Sequence, residues 1–124
     1  KRQENFKYYI DIFKNFECFD LPVATANSKP SWFGFPLTIN ENANFKRTDF
    51  LKHLEANNIG SRLMFGGNLK LQPAFEKLNL KSAENLPTAD KVVQDSFWIG
   101  LYPGITKQMM DFVAQITEEF VSNG

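Results

Sequence analysis

The chain has 124 residues, the size of one domain with one core. Its 14 basic and 14 acidic residues cancel, so no net field draws it to nucleic acid or to an anionic membrane. A single cysteine, Cys18, excludes an internal disulfide and a thiolate metal cluster.

No apolar run reaches the roughly 18 residues of a membrane span. The opening KRQENFKYYI lacks the apolar centre of a signal peptide, so a soluble cytoplasmic protein is expected. Apolar residues at 6, 9, 10, 13 and 16 trace one face of a first helix within residues 1–19. No capping residue precedes it, and the chain is expected to open inside a helix. Leu21-Pro22 and ATANSKP then form a polar connector.

SWFGFPLTI (31–39) alternates, with Phe33, Phe35, Leu37 and Ile39 on one face and Trp32, Gly34, Pro36 and Thr38 on the other. Pro36 cannot donate to a ladder, so this strand is expected at an edge or a bulge, with close approach allowed at Gly34. An amphipathic helix over 47–58 carries Phe50, Leu51 and Leu54 and stops at Asn58-Ile59-Gly60. A strand over 61–65 points Leu63 and Phe65 into the core and Arg62 and Met64 away from it.

An irregular segment follows to about residue 87, and Thr88 is read as the cap of a short helix, ADKVVQD, with Asp90 at its positive end. FWIGL (97–101) is a further strand. Thr106 caps a final helix with Met109, Val113, Ile116 and Phe120 as its stripe. The fold class is α+β, a small largely antiparallel sheet of about three strands with helices on one face. Thirteen phenylalanines exceed what one core needs, so part of the aromatic surface is expected to meet another domain.

Arg62 is the sharpest candidate for chemistry, because its planar fork of donors stands beside the Gly66-Gly67 turn. Those glycines offer unobstructed backbone N–H groups and Asn68 an amide, so an anion could be gripped there. The bland alternative is a tight turn whose arginine pairs with a surface carboxylate. His53 has no second histidine with which to form a metal site or triad, and Cys18 no cationic neighbours to activate it; both read as structural. Trp32, Trp98 and Tyr102 could stack on a sugar or base or pack on a neighbouring domain.

Three stretches, PSWFGFPLTI (30–39), IGSRLMFGGNLKLQPAF (59–75) and LPTAD…FWIGLYPGIT (86–106), together with the opening RQENFKYYIDIF, resemble the C-terminal part of sugar-nucleotide 3-dehydratases. Those lipopolysaccharide-biosynthesis enzymes act on CDP-4-keto-6-deoxyhexoses and form a branch of the pyridoxal-phosphate-dependent nucleotide-sugar aminotransferases. The resemblance implies that residues 1–124 are the small C-terminal domain of the aspartate aminotransferase fold. It also implies that pyridoxal or pyridoxamine phosphate is held mainly by a large domain elsewhere in the parent chain, and that the isolated fragment is inactive.

By the same resemblance Arg62, Gly66, Gly67 and Asn68 face the nucleotide-sugar substrate or the cofactor. Lys81 stands where relatives usually carry arginine, and lacks its bidentate fork. No catalytic residue and no metal ligand is assigned. Expected partners are the large domain, a second copy in the full-length homodimer and, in some relatives, a flavin and iron–sulfur reductase. The rival readings are the small domain of a nucleotide-sugar aminotransferase and a non-catalytic α+β binding module.

Overall fold

The computed structural model describes residues 1–78, 81 and 85–123. Helix α1 (Arg2–Phe13) leads through strand β1 (Phe19–Asp20) to β2 (Phe35–Ile39), then to α2 (Arg47–Ala56) and β3 (Ser61–Leu63). Two single-turn 3-10 helices, Leu69–Leu71 and Pro73–Phe75, precede α3 (Pro87–Asp95), β4 (Ser96–Ile99) and α4 (Lys107–Asn123).

The sheet is wholly antiparallel in the order β1-β2-β4-β3. It has four strands where about three were expected. The addition is β1, a two-residue pairing of Phe19 with Ile39 and Asp20 with Thr38, too short to leave a periodicity in the sequence. Because β1 reaches only that end of β2, the β1 side of the ladder is open at Pro36, and the missing N–H is tolerated there.

One face of the sheet carries Phe35, Leu37, Ile39, Phe97 and Ile99, packed with Tyr9 and Phe13 of α1, Phe50 and Leu54 of α2, and Met110, Val113 and Ile116 of α4. Helix α3 touches β4 and β2 but adds nothing to this core. Five phenylalanines (Phe13, Phe19, Phe35, Phe50 and Phe97) are buried, and Phe6, Phe16, Phe45 and Phe120 pack against them. Most of the phenylalanine surplus is therefore core, edge-to-face ring packing such as Phe50 on Phe97 at 5.7 Å replacing aliphatic side chains.

Helix ends follow local chemistry. Asn58 adopts φ 60° and lets the Ile59 N–H reach back to the Leu54 carbonyl, so the asparagine rather than Gly60 ends α2. Thr106 Oγ1 accepts from the Met109 N–H as expected. Thr88 is not a cap, since Pro87 begins α3, where its absent N–H costs nothing. On α4 the buried stripe is Met110, Val113, Ile116 and Thr117; Met109 is exposed, one position out of register with expectation.

Leu63 and Phe65, expected in the core, lie outside it, as does Phe33, which alternation placed on the face of Phe35. Phe33 is 74% exposed because β2 begins only at Phe35. Leu63 and Phe65 are 54% and 79% exposed, because β3 is an edge strand that ends at Leu63 and Phe65 takes φ 46°, which breaks the alternation.

Candidate functional site

Register places Arg62 opposite Trp98, and Trp98 opposite Pro36. Partners across an antiparallel ladder share a face, so all three stand on the side of the sheet away from the core. The Trp98 ring is flanked by Phe33 and by Phe65, each with ring centroids 4.9 Å away. It also lies over Gly34, where a Cβ would come within 3.1 Å of the indole Cε3. Gly34 thus makes room for this ring.

These aromatics form one wall of an open cleft of about 1190 Å³ that runs past the β3 edge to α2. Arg62, Ser61 and Gly60 line it from β3 and the turn before, and Arg47, Lys52 and Glu55 from α2. Arg62 is exposed, and no other described residue hydrogen-bonds to its guanidinium or pairs with it. Arg47 is committed instead, its Nη1 donating to the Val93 and Ser96 carbonyls at the end of α3.

The double-glycine turn is built differently from a phosphate cradle. Gly67 has φ 57°, and a Cβ there would fall 2.3 Å from Val93 Cγ2, so the turn is pressed onto α3. The Gly66 carbonyl accepts from Gln72 Nε2. Asn68 is only 5% exposed; its Nδ2 donates to Asp90 Oδ1 at 2.7 Å and its Oδ1 accepts from the Lys70 N–H. Of the expected site residues only Arg62 lines the cleft. Gly66, Gly67 and Asn68 sit beyond it on α3, and Lys81 is exposed and away from its lining. Phe33 and Phe65 were missed as cleft residues because strict alternation put Phe33 on the face of Phe35 and Phe65 in the core.

The other titratable candidates are structural. His53 Nε2 lies 3.2 Å from the Ile116 carbonyl and its ring packs on Phe120, an arrangement that suits Nε2–H donation. Cys18 is buried, and desolvation pushes its thiol up, the reverse of what a nucleophile needs. No group of acidic, histidine or cysteine side chains that could hold a metal occurs among the described residues.

A family model, that of the DegT/DnrJ/EryC1/StrS aminotransferases, matches residues 1–118. The chain belongs to this aminotransferase family. Among its relatives, the Saccharopolyspora spinosa dTDP-4-dehydro-2,6-dideoxy-D-glucose 3-dehydratase is 50% identical over 82% of the chain and 22% of the relative. The lipopolysaccharide biosynthesis protein RfbH of Salmonella typhimurium is 40% identical over 97% of the chain and 28% of the relative. The chain thus spans about a quarter of the length of these relatives.

The fold of the family recurs in solved structures. The E. coli GDP-4-keto-6-deoxy-D-mannose-3-dehydratase with bound hydrated PLP superposes with a TM-score of 0.82 at 22% identity, over 93% of this chain and 29% of that one. S. venezuelae DesV, solved in complex with a ketimine intermediate, gives 0.81 at 18% identity over 97% of this chain and 31% of that one. The antiparallel sheet with its helices is therefore this family's fold, in the part covered here.

The described residues of this family member do not by themselves fit pyridoxal phosphate. Among the described residues the one glycine turn with positive φ, at Gly67, is closed against Val93, and the cleft is open rather than a cup of converging N–H groups. The cleft instead presents an unpaired guanidinium beside exposed aromatic rings.

Proposed function

We propose that this chain is the small C-terminal domain of a pyridoxal- or pyridoxamine-phosphate-dependent sugar-nucleotide 3-dehydratase. The parent enzyme removes the C3 hydroxyl of a nucleotide-linked 4-keto-deoxyhexose in deoxysugar or O-antigen biosynthesis. The observation that carries the reading is the 50% identity, over 82% of the chain, to a relative named as a 3-dehydratase. Solved structures named as aminotransferases match through the shared fold at 13–17% identity, which does not discriminate between the two chemistries.

In this reading the cofactor is held by the large domain of the parent, in keeping with the poor fit of the described residues to it. The cleft supplies the substrate side. Arg62 offers a two-pronged donor to an anionic group and the Trp98 cluster a stacking surface, the two chemistries that a nucleotide sugar presents. The exposed apolar residues Phe33 and Phe65 would be covered when the large domain closes. The substrate is a class, a nucleotide-linked sugar; the relatives named act on dTDP and GDP sugars, where the sequence resemblance preferred CDP and left GDP open. A homodimeric, cytoplasmic parent that passes its product to a flavin and iron–sulfur reductase belongs to the same reading and is supported by resemblance alone.

Product analysis of the parent enzyme, incubated with pyridoxamine phosphate and a nucleotide-linked 4-keto-6-deoxyhexose, tests the proposal. The expected product has lost the C3 oxygen and gained no nitrogen. A 4-amino sugar formed at the expense of glutamate would identify an aminotransferase instead.

A further inference from the structure

Four polar residues are buried among the described residues: Asn5, Asn68, Ser96 and Thr117. Asn5 donates to the Tyr102 and Ile105 carbonyls, Ser96 bonds the Thr38 hydroxyl, and Thr117 donates to the Val113 carbonyl. Asn68 alone is tied to an ionisable side chain, Asp90, on a different element of the fold.

Its surroundings make that bond unusual. The side chains before and after it, Phe65, Leu69 and Leu71, are all exposed, so apolar burial does little to hold the segment. Besides the bonds internal to the segment, such as Gln72 Nε2 to the Gly66 carbonyl, three features stand out: the Asn68–Asp90 bond, the Asn68 Oδ1 acceptance from the Lys70 N–H, and the seat of Gly67 on Val93. All three bring residues 66–70 onto α3 or lock the turn that does so. Phe65, immediately before the turn, closes the Trp98 wall of the cleft, and Arg62 lies three residues further back, on the short edge strand that ends at Leu63.

We infer that Asn68 and Asp90 form a positioning latch, which sets the placement of Phe65 and Arg62 in the cleft without touching the substrate. The inference rests on the dehydratase reading for its kinetic consequence and on the geometry alone for its structural one. The latch has a directional chemistry, an amide N–H₂ donating to a carboxylate, while the other end of the amide accepts from the backbone. Exchanging the two residues preserves both bonds, because a carboxylate at 68 can accept from an amide at 90 and from the Lys70 N–H.

The test uses the parent enzyme with three variants, Asn68→Asp, Asp90→Asn and the double exchange Asn68→Asp/Asp90→Asn. Two quantities are read: hydrogen exchange of the amides in residues 64–72, and KM against kcat for the nucleotide sugar. Asn68→Asp sets two carboxylates against each other; it should speed exchange in this segment and raise KM on the order of tenfold, the loss expected of a charge-assisted bond, with a smaller change in kcat. The double exchange should restore both.

Unchanged exchange in Asn68→Asp would overturn the latch whatever the enzyme's activity. Restored exchange with KM still raised would overturn it too, by showing that Asn68 meets the substrate directly. If the parent proves to be no dehydratase, the exchange arm still decides the latch, and the failure falls on the functional reading alone.

Discussion

At the scale of single residues, the two adjacent glycines separate conformational need from mere smallness. Gly67→Ala places a Cβ 2.3 Å from Val93 Cγ2 at φ 57°, and should cost on the order of 1–3 kcal/mol in urea unfolding. Gly66→Ala meets Leu69 Cδ2 at an ordinary 3.4 Å with no positive φ and should be close to neutral. The sequence makes the turn legible from Gly66-Gly67-Asn68, but not its purpose. Val93 and Asp90 lie far along the chain, and only packing reveals that the glycine and the amide serve α3.

Cys18 and Tyr9 add a pH dependence of known sign. Burial is the chief cause that raises both groups, so the folded state keeps their protons to higher pH than the unfolded chain does. Stability from this source is complete below the ordinary thiol range. It is lost as the pH rises, first as the unfolded thiol and then as the unfolded phenol ionises. Urea midpoints should therefore fall on the alkaline side, and Cys18→Ala should remove the earlier part of that fall.

At the scale of elements, the helices were legible wherever a long stripe met a packed face. Phe50 and Leu54 of α2 and Val113 and Ile116 of α4 are buried as the 3.6-residue period requires. The slip from Met109 to Met110 shows the limit of that signal, since two adjacent methionines satisfy it equally well. Met110→Ala should destabilise by about 2–5 kcal/mol, as for other large side chains removed from a core, and Met109→Ala by well under 1 kcal/mol on the order of ordinary surface changes. Thermal unfolding of the two variants side by side checks the register directly.

Strands were less legible, and the cleft suffered most. Phe33 and Phe65 flank strand ends rather than occupy strands, so alternation extrapolated through them gave the wrong side. Arg62, inside β3, was placed on the face away from the core by the same alternation, and the register with Trp98 agrees. Strand-face placement was thus readable for Arg62, where regular pairing holds, and misread for Phe65, where an edge strand ends in a left-handed residue.

For the whole molecule, the fold places the Arg62 guanidinium, unpaired among the described residues, and three exposed or half-exposed rings on the face of the sheet away from the core. The core on the other face is self-sufficient, with α1, α2 and α4 closing over it. On the proposed reading, ligand contact falls to Arg62 and the rings beside it and folding to the core around Phe35 and Phe97, so that a change at Arg62 can alter function with little effect on stability.

Arg62→Lys in the parent enzyme tests that division most directly, since it keeps the charge and removes the two-pronged donor. Turnover of the nucleotide sugar and the melting temperature are measured on the same preparation. The account predicts a fall in kcat/KM on the order of tenfold or more, with the melting temperature within about 2 °C of the unsubstituted enzyme. Unchanged kcat/KM, or a loss matched by a large drop in melting temperature, would contradict it.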